Sequence, residues 1–159
     1  MSLTLAEGVV TKLKTYLTTN LATKLTALNT EYNDGITLVD MATWYLGEPS
    51  IQSVQAWPAG VIMAEDVEIT RWTSSFTDAL YNVTIVVLVL DQDTETLRKM
   101  LYRYIRAVWE VVLASESSIS PFHIAGGIPR FSFSPVFTNN SALYVSDAAL
   151  TVQLRAQET

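Results

Sequence analysis

The segment from Asn82 to Val112 constrains the fold more than any other part of this chain of 159 residues. Its first part is an unbroken apolar run, and alternate residues of a strand point to opposite faces. One face would carry Val83, Ile85, Val87 and Val89, and the other Val86, Leu88 and Leu90. Because both faces are apolar, the run predicts a central strand that is covered on both sides.

A helix is predicted directly after this strand. Asp91 and Asp93 end the strand, and Asp93 is placed to cap the helix, with Glu95 in the first turn where the helix dipole favours an anion. Apolar residues then recur every three or four positions: Leu97, Leu101, Tyr104, Ile105, Val108 and Val112. Tyr102 and Trp109 widen this apolar surface beyond what one core face needs.

Before this unit, the sequence predicts a long helix and a set of strands. The helical stripe is Leu13, Leu17, Leu21, Leu25, Leu28 and Tyr32. Gly35 can end this helix because it tolerates the left-handed conformation of a C-cap. We predict a loop with at most one helical turn over 36–49, a strand over 50–57 and a turn at 57–60. Residues 61–73 are predicted to be extended, either as one bent strand or as two strands, and residues 74–79 to form a link.

After the second helix, the sequence predicts a loop over 114–129 and then two strands. Pro135 places the first of these, 130–137, at a sheet edge or a bulge. A turn at 138–141 leads to a half-covered strand that alternates up to Arg155. We therefore predict a single domain over 1–159 with an α+β fold, in which a mostly antiparallel sheet packs against two main helices.

The composition narrows the possible functions. Asp and Glu outnumber Lys and Arg sixteen to ten, for a net charge of −6, which disfavours wrapping around nucleic acid. The chain has no cysteine, so disulfides and zinc–thiolate sites are excluded. The N-terminus lacks the pattern of a signal peptide, and the longest apolar run, Ile85–Leu90, is far shorter than the roughly 20 residues of a membrane span. We expect a soluble protein that is neither secreted nor membrane-bound.

Few residues suggest catalysis. His123 is the only histidine, and no serine lies in a nucleophile turn. Asp91 and Asp93 have a spacing that can hold a divalent cation, but a strand end and a helix cap explain them better. Gly126-Gly127 lacks the spacing of a phosphate loop. We expect no catalytic residue, metal or cofactor; the alternative is a small metal-dependent hydrolase that uses the Asp pair and His123.

Two groups of side chains are candidates for binding. The basic side of the second helix (Arg98, Lys99, Arg103, Arg106) suits phosphate, but a solvated or ion-pairing face is the commoner explanation. Core packing and a subunit or partner interface account equally well for a set of aromatics: Trp44, Tyr45, Trp57, Trp72, Tyr102 and Trp109. A small-molecule site with an aromatic pocket is a further alternative.

The order of these elements resembles a known family. A long helix precedes "WYLGEP"; "AWPAGVIMAED" follows; then come the strand–Asp–helix unit and the closing "ALTVQLRAQ". From about Leu3 to Arg155 this arrangement is similar to the small neck proteins of tailed bacteriophages, especially the tail terminator (tail completion) proteins of long-tailed phages. The similarity lies in element order and in the strand–helix unit.

The resemblance implies a structural virion protein that assembles in the host cytoplasm. It implies a ring, usually a hexamer, that caps the tail tube and offers a docking surface to the head, with DNA passing through the centre and no cofactor or catalysis. The implied partners are further copies of the chain, the tail tube protein, and head-completion or portal-associated neck proteins. An alternative within the same class is a head-completion or connector adaptor. A lumen lined by Glu65, Asp66 and Glu68 would repel DNA and keep it moving.

Overall fold

Two helices and seven strands make up the described part of the chain. A computed structural model describes residues 6–73, 77–115, 122–124, 129–138 and 143–158. The helices are α1 (Ala6–Tyr32) and α2 (Thr94–Ala114). The strands are β1 (Thr43–Tyr45), β2 (Ala59–Trp72), β3 (Thr77–Asp91), β4 (Phe122–Ile124), β5 (Arg130–Phe133), β6 (Phe137–Thr138) and β7 (Tyr144–Glu158).

The seven described strands form one sheet, in the order β1-β2-β3-β7-β4, with β5 and β6 also paired to β7. Only the short β1–β2 pair is parallel; every other pair is antiparallel. Strand β3 pairs along its whole length with β7, from Thr77 opposite Glu158 to Asp91 opposite Tyr144. The predicted α+β fold with a mostly antiparallel sheet is confirmed, and β3 is central as its apolar run predicted.

Both helices pack on one face of the sheet, called the helix face here. The leucine stripe of α1 is buried as predicted from Leu13 to Leu28, whereas Tyr32 is exposed. The stripe meets α2 and the alternate residues Val83, Ile85, Val87 of β3 and Leu150, Val152 of β7 in one core. The threonines of α1 face solvent and bond to carbonyls one turn back, so packing of the leucines must stabilise this helix.

The opposite face of the sheet, called the polar face here, carries a small apolar cluster at one end. There Val61 and Leu88 are buried with Val54 and Ala59 beneath Tyr45 and Trp57. Farther along, the same face of β3 carries Thr84 and Asn82, and β7 places Thr151 and Gln153 beside them. On this face of β3, Thr84 and Leu88 are buried and Asn82, Val86 and Leu90 are partly buried, so the prediction that β3 is covered on both sides is confirmed in part.

The segment before β2 differs from the prediction. Thr43–Tyr45, predicted as loop, forms the short strand β1, because three residues are too few to show a period and pairing with β2 decides their conformation. Residues 50–57, predicted as a strand, form one 3-10 turn at Ile51–Ser53, where the Ser53 side chain bonds back to the Ser50 carbonyl. The predicted turn at 57–60 ends earlier, since β2 begins at Ala59 after a cis Trp57–Pro58 bond.

Other element boundaries also differ from the prediction. The predicted link over 74–79 is shorter, because Thr77–Ala79 already belong to β3. The predicted loop over 114–129 contains β4, which pairs with the end of β7. Strands β5 and β6 flank Pro135 at the sheet edge, as that proline predicted. Gly126-Gly127 lie outside the described residues, as does the turn predicted at 138–141 except for Thr138, which belongs to β6.

Burial on α2 predicts a clear difference between two leucines of the same helix. Leu101→Ala removes a fully buried side chain from the core and should lower the free energy of unfolding by about 2–5 kcal/mol. Leu113→Ala changes a side chain that is 48% exposed and should stay within about 0.5 kcal/mol of wild type. Urea unfolding followed by circular dichroism measures both; equal losses would show that α2 does not pack as described.

Candidate self-assembly surface

Strand β2 leaves a long edge of the sheet open. Strand β1 pairs only with Ala59–Val61, and within the described residues no strand pairs with 62–72 on that side. At about 3.3 Å per residue, this open stretch is roughly 35 Å long. An open edge presents unpaired N–H and C=O groups that can pair with another chain, and proteins usually cover or shorten such edges.

Two register shifts divide this edge. They lie between Ala64 and Asp66 and between Ile69 and Arg71. Between them, Asp66–Ile69 pair regularly with β3 and keep strict alternation. We call Asp66–Ile69 the open β2 segment.

We call residues Glu65–Trp72 the β2 arm. Its apolar side chains extend beyond the part of the sheet that the helices cover. Val67 pairs with Tyr81 and Ile69 with Ala79, whose side chains belong to the helix-side core, so Val67 and Ile69 lie on the helix face. They are nevertheless 43% and 52% exposed, and Trp72 near the tip is 75% exposed. Adjacent apolar residues on an open strand are a common mark of a protein interface.

The same arm is acidic on its other side. Glu65, Asp66 and Glu68 are all exposed. Asp66 pairs with Asn82, and its side chain accepts a hydrogen bond from the Asn82 amide on the polar face. Gln153 on β7 donates in turn to Asn82 over 3.5 Å, so a polar row crosses the sheet.

The far edge of the sheet carries exposed aromatic residues. Phe133 packs edge-on against Tyr102 with ring centres 5.0 Å apart, and Phe131 against Trp109 at 6.2 Å. Phe131, Phe133 and Tyr102 are all exposed. We call these four residues the β5 aromatic patch. It lies on the helix face, because Phe131 pairs with the buried Leu150.

The six aromatics singled out in the sequence separate into three places. Trp72 belongs to the β2 arm, and Tyr102 and Trp109 belong to the β5 aromatic patch. The other three are partly buried near the start of β2: Trp44 covers Gly60, where an added Cβ would lie 2.3 Å from its ring, and Tyr45 and Trp57 pack on the small apolar cluster. A role at an interface stays a prediction for all six.

Sequence reasoning missed four exposed apolar residues of these surfaces: Val67, Ile69, Phe131 and Phe133. Phe131 and Phe133 alternate with serines, which predicted their strand but not that it would be the last strand on its edge. The "VEIT" pattern of β2 likewise predicts one apolar face without showing that the helices do not cover it.

The basic side of α2 is engaged in ion pairs. Arg106 bonds to Glu31 and Glu110, Lys99 to Glu95, and Arg98 donates to the Ser134 carbonyl. Arg103, which is buried, donates to both carboxylate oxygens of Asp34 and stacks over Tyr32 at 3.9 Å. These contacts confirm the ion-pairing interpretation over the phosphate-binding one.

Asp91, Asp93 and His123 do not come together. The Asp93 side chain caps α2 by accepting from the Thr96 N–H at 2.8 Å, as predicted, and Asp91 accepts from the Asp93 N–H. Asp91 pairs with Tyr144, whereas His123 pairs with Arg155, eleven residues farther along β7. That separation is on the order of 30 Å or more, too far for the proposed hydrolase site.

The described residues contain no group of three or more His, Asp or Glu side chains that could hold a metal ion. A cavity of about 140 Å³ lies near Pro49, and its lining includes Ile51, Met63 and Asp147 but no aromatic side chain. Burial raises the pKa of Asp147. No helix among the described residues is long and apolar enough to cross a membrane.

Comparison with known proteins identifies no family. No family model matches the chain, and no curated protein matches it. A chain in a solved structure of the virion of a native gene transfer agent particle is similar at 14% identity. The match covers 88% of this chain and 95% of that chain, with a TM-score of 0.42. Neither the identity nor the TM-score is high enough to transfer a function.

The Arg103–Asp34 pair predicts a stability difference that depends on pH. Hydrogen bonds from Arg103 lower the pKa of Asp34 from 3.8 to about 2. The carboxylate therefore stabilises the folded state fully above the ordinary pKa, and this stabilisation is lost as the pH falls towards 2. Asp34→Asn should lower Tm at pH 7, and its difference from wild type should shrink between pH 4 and pH 2.

Thermal unfolding across that pH range measures this difference. Glu48→Gln is the control, because Glu48 is an exposed carboxylate without an ion pair to any described residue. A Tm difference for Asp34→Asn that stays constant down to pH 2 would contradict the lowered pKa.

Proposed function

We propose that this chain is a structural protein of a phage virion that works by assembling with copies of itself. The observation that carries the proposal is the open β2 edge with its exposed Val67, Ile69 and Trp72. A protein that functions alone gains nothing from a long uncovered strand with apolar side chains, whereas a subunit of an assembly buries it. The order of elements supports the same class, since it is the order in which the chain resembles phage neck proteins.

Within that class, the role of tail terminator agrees best with the features of the chain. Such a subunit would form a ring, a hexamer by the resemblance, that caps the tail tube and joins it to the head. It would assemble in the host cytoplasm, remain in the virion, and need neither a cofactor nor a catalytic residue. The candidate surfaces fit this role because they are made of strand edges and aromatic side chains.

The polar face of the sheet is suited to line the channel of this ring. The side chains of Asp66, Asn82 and Gln153 lie on it, and the acidic residues of β2 adjoin it. A negatively charged wall repels DNA, so the polymer passes without sticking. A ring whose channel is basic, with Glu65, Asp66 and Glu68 on its outer rim, would contradict this arrangement.

A head-completion or connector adaptor is the second candidate, since it shares the order of elements and differs in the ring on which it docks. Pull-down with purified tail tube protein and with portal protein separates the two. Capture by the tube protein supports the terminator, and capture by portal protein alone supports the adaptor.

Self-assembly through β2 is tested by comparing two isoleucines. Wild-type protein should form a discrete ring as its concentration rises, measured by native mass spectrometry and by size exclusion with light scattering. Ile69→Lys places a charge on the exposed arm and should raise the midpoint concentration of assembly at least tenfold. Ile51→Lys is the control, because Ile51 is similarly exposed (45% against 52%) but lies off the arm.

Two results would contradict the proposal. A wild-type chain that stays monomeric up to millimolar concentration would show that it does not assemble by itself. A ring that forms equally well in Ile69→Lys and in Ile51→Lys would show that β2 is not its contact.

A further inference from the structure

We infer that the open β2 segment of one copy pairs with strand β5 of a second copy, so that the sheet continues from subunit to subunit. This inference rests on the proposed function and names the surface that receives β2. The open β2 segment and the β5 aromatic patch lie at opposite edges of the same sheet, separated by β3 and β7. A contact between two different edges is heterologous, and repeated copies of it close into a ring when the rotation permits.

The directions of the strands agree with this pairing. Strands β2, β3, β7 and β5 alternate in direction, because each successive pair is antiparallel. A second copy related by rotation about a ring axis that runs along the strands keeps their direction. Its β5 therefore runs antiparallel to the β2 that it meets, as in the rest of the sheet.

The two segments are of similar length, and a register that keeps their faces pairs three residues of each. Between its register shifts, β2 offers the four regularly paired residues Asp66–Ile69. Strand β5 consists of four residues, Arg130–Phe133, and Pro135 follows it. Within the described residues, the side of β5 away from β7 has no partner strand. A short pairing of this kind hides the open backbone groups of both edges.

On the helix face, the contact joins apolar side chains to apolar side chains. Antiparallel partners share a face, so Val67 and Ile69 meet the face that carries Phe131 and Phe133. Each of these four side chains is at least 40% exposed in the single chain. Aromatic residues paired with aliphatic ones across strands are among the more favourable neighbours in sheets.

On the polar face, the contact joins opposite charges. Asp66 and Glu68 point to this face from β2, and Arg130 points to it from β5 beside Thr151. Arg130 is exposed and makes no ion pair with any described residue. A shallow groove of about 360 Å³ touches both Asp66 and Arg130 within one chain, so an acidic residue and a basic residue mark the two ends of the same polar surface.

One register places Val67 opposite Phe131 on the helix face and opposite charges on the polar face, with Ile69 and Phe133 as diagonal neighbours of Phe131 and Val67. With Val67 opposite Phe131, Glu68 lies directly opposite Arg130 and Asp66 opposite Ser132. A slip of two residues keeps the faces but moves Arg130 opposite Thr70, which has no charge. The junction still keeps a net negative charge, because Glu65, Asp66 and Glu68 meet one guanidinium, so this contact is compatible with an acidic channel.

Charge reversal with mixing tests this contact. Glu68→Arg places two cations opposite each other at every junction, and Arg130→Glu places two anions there. Each variant alone should raise the midpoint concentration of assembly at least about tenfold, as expected when an attractive pair becomes a repulsive one. An equimolar mixture should restore assembly to within a few-fold of wild type, because alternating subunits put opposite charges at every junction of an even-numbered ring.

Native mass spectrometry measures the number of subunits in the assembly and the proportion of each variant in the mixed ring. Glu48→Arg is the control for a charge change outside the open β2 segment and should assemble as wild type does. Thermal melting checks that each variant folds, and Glu68→Gln and Arg130→Gln replace any reversal that does not.

The other possible results distinguish failure of the β2–β5 contact from failure of the proposed function. If wild type forms a ring and both reversals leave it unchanged, the β2–β5 contact is wrong and the proposed function stands. If the reversals weaken the ring but the mixture does not recover, Glu68 and Arg130 are not partners and this contact is overturned. If wild type never assembles, the proposed function fails and the contact fails with it.

Discussion

Backbone hydrogen bonding along β3 is the interaction on which the rest of the structure depends. Strand β3 pairs over its full length with β7 and over most of it with β2, so these three strands make one continuous sheet. The helix face of that sheet supplies the apolar surface against which α1 and α2 pack. Because β2 follows β3 to its far end while its pairing with β1 ends at Val61, the same pairing that builds the core leaves a strand edge open.

This open edge links the fold to the proposed function. A sheet buries one face under helices and still has two edges, and only closure or a partner removes them. Here the two edges differ: β2 is acidic with aliphatic side chains, and β5 carries Arg130 among aromatic side chains. Unlike edges favour head-to-tail contacts over symmetric dimers, and head-to-tail contacts close into rings when the rotation permits. Arg103 and Arg106 on α2 are paired with Asp34 and Glu31 of the same chain, which offsets their attraction for DNA.

The sequence was most informative where an apolar pattern continues over many residues. The leucine stripe of α1, the unbroken apolar run of β3 and the stripe of α2 all predicted their elements, and Asp93 predicted the start of α2. It was least informative where pairing with a distant strand decides the conformation, as at Thr43–Tyr45 and Phe122–Ile124. The strand predicted over 50–57 was wrong for a related reason. The loose alternation resembled a strand, but local serine hydrogen bonds stabilise a turn.

The candidate surface was only partly predictable. Trp72, Tyr102 and Trp109 stood out by residue type alone, whereas the exposure of Ile69 and Phe131 depends on where the helices end over the sheet. Trp44, Tyr45 and Trp57 are equally conspicuous in the sequence, but they pack within the fold. Composition cannot separate these cases, because both place an aromatic ring against apolar neighbours.

Amide hydrogen exchange at Asp66–Ile69 tests the central claim most directly. In dilute protein, the outward N–H groups of this segment have no described partner and should exchange quickly, while those of β3 stay protected. At concentrations where the ring forms, the account predicts that protection of Asp66–Ile69 and of Arg130–Phe133 rises together. Fast exchange at both segments within an assembled ring would contradict it.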